Sequence, residues 1–159
     1  MANAVPGVST LKARVGWIVG SSDTVPTSGT VTWFTRVNET GEIALTTNTI
    51  DASALEDDVD KMIAGRGSTG GTYTITFNQT PETVEEMRAV MVASAQNNGV
   101  WVQEWVPGTP DVADWIFCQF PAKIPKPGMA QNSLRTVAIE CAIVNFETAA
   151  ASLDTEQFQ

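Results

Sequence analysis

Alternating apolar and polar positions, the pattern of strands with one buried face, recur along most of this chain. Between residues 72 and 78, for example, Tyr73, Ile75 and Phe77 alternate with threonines, which predicts an inward and an outward side. The same reasoning predicts strands over residues 12–20, 30–38, 42–50, 72–78, 100–106, 114–120 and 134–146.

One segment, residues 80–98, has a helical period instead. Val84, Met87, Val90 and Met91 recur at helical spacing, so one face of the helix must be covered. Thr80 suits the N-cap, and the proline that follows it suits the first helical position. Asn98 and Gly99 then provide residues for a left-handed end. The sequence therefore predicts a single amphipathic helix between strands.

Turn residues predict two hairpins. Residues 38–41 (NETG) would join strands 30–38 and 42–50, and residues 107–110 (PGTP) would join strands 100–106 and 114–120. The second hairpin is rich in aromatic residues, which are predicted to form the thick part of the core rather than a binding platform, because no basic residue lies among them. These residues are Trp101, Trp105, Trp115, Phe117 and Phe120.

Residues 51–71 change character. Their first half could form a turn or two of helix, and four glycines then follow. The segment lacks the Lys-Ser/Thr ending of a phosphate-binding loop. Long loops in compact domains are usually functional or disordered, so we predict a contact loop that becomes ordered on assembly.

The order of elements indicates the fold class. A chain of 159 residues suggests one domain, and strands do not alternate with helices as a parallel sheet requires. We therefore predict a mainly β fold with two packed antiparallel sheets, a sandwich or barrel, flanked by one α-helix. The domain would span residues 12–147, with an N-terminal arm at 1–11 and a polar C-terminal tail at 148–159.

The charge and composition of the chain argue against several classes of function. The net charge is −9, and the nine basic residues are scattered, which argues against tight binding to nucleic acid. The sequence has no histidine, so Ser-His and Cys-His catalysis and histidine metal sites are excluded. We expect no enzyme, no cofactor, no metal and no membrane span. Cys118 and Cys141 are expected to be buried thiols, although a disulfide between neighbouring strands stays open.

Several stretches in a fixed order resemble a known family. They are residues 33–43 (WFTRVNETGEI), residues 50–53 (IDAS) before the glycine-rich loop, residues 71–78 (GTYTITFN) before the helix, and residues 133–141 (SLRTVAIEC). In this order the chain, from about residue 33 to 146, resembles the major tail tube proteins of long-tailed, siphovirus-like bacteriophages. The tail tubes of gene transfer agents and related injection machines are expected to look similar.

The resemblance implies a structural role in the virion. Family members form hexameric rings, whose inner strands join into one barrel, and the rings stack into a tube through which DNA enters the host. The expected partners are further copies of the chain, a tape measure protein inside the tube, terminator and tail-tip proteins, and passing phage DNA. The assembly would form in the cytoplasm of the host bacterium.

The resemblance also suggests which residues do this. An acidic lumen lets DNA slide without sticking, and Glu39, Glu42 and Glu140 are the candidates to line it. The loop would contact neighbouring subunits or rings. The candidate contact residues are Asp51, Leu55, Glu56, Asp57, Asp58, Asp60, Met62, Ile63 and Arg66.

A second interpretation is a carbohydrate- or receptor-binding β-sandwich domain of a tail tip or decoration protein. That function requires Trp101, Trp105 or Trp115 to be exposed on a surface, whereas a tube subunit requires them to be largely buried.

Overall fold

The computed structural model describes residue 7 and residues 9–56, 58–68 and 70–159. In this part of the chain the fold is mainly β, as predicted. One α-helix, α1 (Pro81–Asn97), interrupts the strands, and a short 3-10 helix (Glu156–Phe158) lies near the C-terminus. The strands are β1 (Arg14–Ile18), β2 (Thr32–Trp33), β3 (Val37–Thr40), β4 (Thr46–Asp51), β5 (Met62–Ser68), β6 (Thr72–Asn78), β7 (Val100–Trp105), β8 (Val112–Gln119) and β9 (Thr136–Ala151).

Seven strands form one curled antiparallel sheet in the order β2-β1-β7-β8-β9-β6-β3. The long strand β9 connects its two halves, because residues 136–142 pair with β6 and residues 142–151 pair with β8. The β7–β8 ladder confirms the second predicted hairpin. The remaining strands, β4 and β5, form a separate two-stranded sheet.

Helix α1 begins and ends as the sequence predicts. Thr80 and Thr83 form a reciprocal capping box, in which the Thr83 amide donates to the Thr80 hydroxyl over 3.1 Å. Asn98 adopts the left-handed conformation, with φ 56°, at the C-terminal end. The face that turns away from solvent is formed by Thr83, Met87, Val90, Met91 and Ser94.

The buried face of α1 packs into the main core, which we call the inner core. It brings together side chains of the helix with those of β1, β6, β7, β8 and β9, so the curled sheet wraps its inner face around the helix. The three predicted inward residues of β6 belong to it, with at most 1% of each side chain exposed. Cys118 and Cys141 lie here too, both fully buried and unbonded.

A second core lies on the opposite, outer face of the sheet, behind β7 and β8. We call it the tryptophan cluster: Val31, Trp101, Trp105, Ala113, Trp115 and Phe117. Its cover consists of the segment between β1 and β2 and of the C-terminal segment, which contribute Val25, Leu153 and Phe158. The central strands are therefore buried on both faces, which explains their nearly continuous apolar sequence.

The first predicted hairpin is wrong. Strand β2 pairs with β1, and β3 pairs with β6, so neither of them pairs with β4. The physical reason is burial on two sides: Val31 points into the tryptophan cluster, whereas Phe34 lies in the inner core. The chain therefore crosses between the two cores within residues 31–34 and cannot form one continuous arm of a hairpin.

The sequence suggested a loop over residues 51–71, but part of this segment is a strand. Met62–Ser68 forms strand β5 and pairs with β4, with a register shift between Thr47 and Thr49. Three of the seven residues in β5 are Gly or Ala, so strand propensity alone does not reveal it. The suggested helical turn is also absent from the described residues of this segment.

The predicted polar tail is also partly wrong. Strand β9 runs to Ala151, five residues beyond its predicted end, and the residues after it pack against the tryptophan cluster. The buried Gln103 side chain binds both backbone groups of Leu153, at 2.9 and 2.8 Å. The N-terminal arm lies mostly outside the described residues.

Candidate assembly surfaces

Among the described residues, neither core covers the outer face of the sheet over β3, β6 and the stretch of β9 that pairs with β6, and we call this area the bare half. Here β6 presents Thr74 and Thr76, while its other side faces the inner core. Glu39 on β3 lies opposite Thr76, and Glu140 on β9 lies opposite Thr74. Two of the three predicted lumen residues are thus placed on one face, on either side of β6.

The charged side chains of the bare half are all acidic. Neither β3 nor β6 contains a lysine or arginine, and neither does the stretch of β9 that pairs with β6. Both glutamates are solvent-exposed. A surface with small side chains and charges of one sign repels phosphate groups. The third candidate, Glu42, is exposed in the segment between β3 and β4, directly after Gly41, whose amide donates to the Thr74 carbonyl over 2.7 Å.

The seven-stranded sheet ends in two short edge strands. β2 has two residues and β3 has four, and each pairs with only one neighbour in the described part of the chain. Edge strands offer unpaired backbone groups to a further strand. A neighbouring molecule can therefore extend this sheet by main-chain hydrogen bonds.

The β4–β5 ribbon projects from the domain as an arm, and we use that name for the described residues between 42 and 70. Every residue of β4 is exposed, and so is every residue of β5 except Gly65, which is half-buried. Ile50 and Ile63 face each other across the ribbon, with 53% and 54% of their surface exposed. Two-stranded ribbons are marginal in water on their own, and exposed apolar area usually marks a contact surface.

The structure places most of the predicted contact residues on this arm. Asp51 pairs with Met62 and Ile50 with Ile63, whereas Arg66 lies where the register of the ribbon shifts. The connection between the strands holds Leu55, Glu56, Asp58 and Asp60, all exposed. Hydrogen bonds from Ser53 lower the pKa of Asp51. Asp57 lies outside the described residues.

A buried carboxylate is a feature that the sequence reasoning missed. Glu104 on β7 points to the inner side of the sheet, where it accepts a hydrogen bond from the Tyr73 hydroxyl. Burial, together with Asp114 directly opposite it on β8, raises the pKa of Glu104 to about 7. The signal was available: Glu104 continues the inward alternation of Val100 and Val102.

Glu104 borders a cavity of about 770 Å³ at one end of the sheet. The start of β1, the end of β7 and the start of β8 line this cavity, together with all of β3. Among the described residues no three Cys, Asp or Glu side chains are grouped closely enough to hold a metal ion. None of the described helices is long and apolar enough to cross a bilayer.

The three tryptophans on which the second interpretation depends are buried. Trp101, Trp105 and Trp115 expose at most 1% of their surface, as core packing predicts. Each indole N–H donates to a backbone carbonyl, at 2.6 Å to Ser21, 3.1 Å to Pro110 and 3.0 Å to Ala151 respectively. These side chains therefore form no platform for stacking a sugar ring or a receptor side chain.

No protein-family model and no curated protein matches the sequence. Solved structures with a similar fold do exist. A chain from the tail of an empty gene transfer agent particle, refined helically with C6 symmetry, aligns with a TM-score of 0.58 at 13% identity over 91% of this chain and 100% of that chain.

Two further structures agree. A chain from the virion of a native gene transfer agent particle gives a TM-score of 0.53 at 11% identity, over 92% of this chain and 99% of its own. One from the six-fold symmetrised baseplate of the anti-feeding prophage gives 0.50 at 9% identity, over 94% and 98%. The fold of this chain is therefore one that occurs in the tails of phage-like particles.

Proposed function

We propose that the protein is the subunit of a tail tube in a phage-like particle. The observation that carries the proposal is the arm: a two-stranded ribbon with exposed isoleucines on a domain whose own sheet ends in short open edges. Such a molecule is completed by copies of itself. The similarity to chains of six-fold symmetric tails supports hexameric rings that stack into a tube.

In this assembly the edge strands pair between neighbours, and the bare half faces the lumen. Glu39 and Glu140 then form repeated rings of negative charge along the tube. DNA phosphates are repelled from such a wall, so the duplex passes without binding tightly. Glu42 contributes to the same wall at the start of the arm.

The arm makes the contacts between subunits or rings, through Met62, Ile63 and the other exposed residues that it carries. Partners from the same particle would be a tape measure protein in the lumen and the terminator and tail-tip proteins at the two ends. The role is structural, with no catalytic step, and its site is the virion tail after assembly in the host cytoplasm. A siphovirus-like tail is the version that the sequence resemblance favours.

Electron microscopy of concentrated protein tests the proposal. Hollow six-fold rings or tubes are expected for the wild type, whereas Ile63→Lys should remain a folded monomer, because Ile63 is exposed and lies outside both cores. The matched control is Val92→Lys on the outer side of α1, where the exposed fraction is similar, at 56% against 54%. Assembly by Ile63→Lys, or a strictly monomeric wild type at all salt and protein concentrations, would contradict the proposal.

A further inference from the structure

Glu104 contacts the two points at which the arm joins the domain. Thr40 is the last residue of β3 and directly precedes the arm, and its side chain hydrogen-bonds Glu104. Tyr73 is the second residue of β6, where the chain returns from the arm, and its hydroxyl donates to the same carboxylate. We call Thr40–Gly41 the outgoing root of the arm and Gly71–Tyr73 its returning root. One side chain thus holds both roots.

Backbone hydrogen bonds complete the attachment. The Gly41 amide donates to the Thr74 carbonyl over 2.7 Å, and the Ile143 amide donates to the Gly71 carbonyl over 3.0 Å. The returning root therefore lies between two neighbours in the sheet. Strand β9 is on one side of it, and the outgoing root is on the other. Beyond these contacts and the packing of Ile43 against the inner core, the strands of the arm are exposed, so its orientation depends on how firmly its two ends are held.

Burial of Glu104 and the charge of Asp114 favour its neutral form, and together they outweigh the hydrogen bond from Thr40, which favours the ionised form. Asp114 lies directly opposite on β8, and its Oδ1 atom already accepts the Ala149 amide over 3.1 Å. The other charged groups that line the cavity are Lys12, which precedes β1, Arg14 from β1 and Glu39 from β3. The Arg14 guanidinium lies 4.6 Å from the centre of the Phe158 ring, which packs against the tryptophan cluster on the outer face.

We propose that Glu104 is a proton-operated clamp, which holds both roots of the arm when it is protonated and releases them when it is ionised. The protonated carboxyl stays buried between the two hydroxyls without repelling Asp114. The ionised carboxylate gains from hydration, and the nearest space for water is the adjoining cavity of about 770 Å³. The carboxyl first loses its proton to solvent, and movement of the resulting carboxylate into this cavity then breaks the bonds to Tyr73 and Thr40.

The sign of the pH effect follows from the raised pKa. Because the pKa of Glu104 is about 7 in the closed state and 4.5 when the group is free, closure is favoured fully below pH 4.5 and progressively less as the pH rises to 7. If the whole shift is coupled to the roots, the open fraction rises about 25-fold between pH 5.5 and pH 8. The clamp acts within one chain, so it does not depend on tube formation.

Hydrogen–deuterium exchange with peptide-level mass spectrometry tests the clamp. After correction for intrinsic exchange rates, peptides that contain the two roots should lose protection as the pH rises from 5.5 to 8 in the wild type. In Glu104→Gln, which keeps the shape and the acceptor but stays neutral, their protection should be high and independent of pH. Tyr73→Phe, which removes one bond only, should lower protection of the returning root already at pH 5.5.

The internal reference is the peptide over Met87–Ser94 of α1, and the matched variant is Glu85→Gln, an exposed glutamate on the same helix. Wild type and variants are compared in the same oligomeric state. Equal pH dependence of the roots in the wild type and Glu104→Gln would overturn the proposal. An equal loss of protection over the reference peptide would also overturn it, because Glu104 would then act on the whole fold.

Discussion

The outer face of one continuous sheet has two halves with opposite properties. Over β7 and β8 it carries the tryptophan cluster, and the β1–β2 segment and the C-terminus cover it. Over β3, β6 and the stretch of β9 that pairs with β6, the same face carries Thr74, Thr76, Glu39 and Glu140, and neither core of the described chain covers it. Strand β9 belongs to both halves, and the boundary lies near Asn145, whose side chain donates to the Ser22 carbonyl over 2.9 Å.

The difference shows that one half of this face is packed against other segments of the chain, whereas the other half presents polar side chains. The covered half supplies stability, because large aromatic side chains are buried there with their N–H groups paired. The bare half is expected to contribute little to the stability of one chain, so its acidic residues are available for the assembly proposed above. The inner face of the sheet is apolar along its whole width, whereas the outer face is apolar only behind β7 and β8. The sheet can therefore stabilise the domain and still present a polar surface.

The largest expected effect comes from truncating the covered half. Trp101→Ala should lower the free energy of unfolding by about 3–5 kcal/mol, because it removes a fully buried side chain that packs edge-on against Trp115 and Phe117. Chemical denaturation with a far-ultraviolet circular dichroism readout measures this. Thr74→Ala on the bare half is the control, with a cost below about 1 kcal/mol. Similar costs at the two sites would remove the distinction between the halves.

An intermediate effect is expected where the C-terminal segment is fastened. Gln103→Ala leaves the amide and the carbonyl of Leu153 without partners and should cost about 2 kcal/mol. Tryptophan emission should shift to the red as the cover loosens. Gln119→Ala is the comparison, because this exposed glutamine makes one bond, to the Asn98 carbonyl, and its loss should cost less than about 1 kcal/mol. An unchanged emission spectrum in Gln103→Ala would argue that other contacts hold the cover.

The smallest effect on stability is expected on the bare half. Glu140→Lys should change the free energy of unfolding by less than about 0.5 kcal/mol, because Glu140 is exposed. If assembled tubes form, they should then retain DNA at low salt and release it as salt rises, whereas wild-type tubes should not retain it. Glu85→Lys on the helix controls for net charge. DNA retention by both variants alike would place Glu140 away from the lumen.

The two hairpin predictions show how far local sequence reaches. The β7–β8 hairpin was predicted correctly, since its partners are close in sequence and joined by a strong turn. The other hairpin failed although its turn residues were equally clear, because Val37 pairs with Phe77, forty positions along the chain. Local turn signals are reliable when they agree with the long-range burial of the strands and fail when burial selects another partner.

The sequence by itself determined the β class, helix α1 with both of its caps, the inward side of β6 and the burial of the central tryptophans. Each of these follows from side-chain period or capping chemistry within a few neighbouring residues. Only the tertiary structure decided that the sheet has a covered and a bare half, that Glu39 and Glu140 share a face, and that Glu104 reaches both roots of the arm. Those relations join residues from distant strands, and the sheet order that brings them together depends on which burial is most favourable over the whole chain.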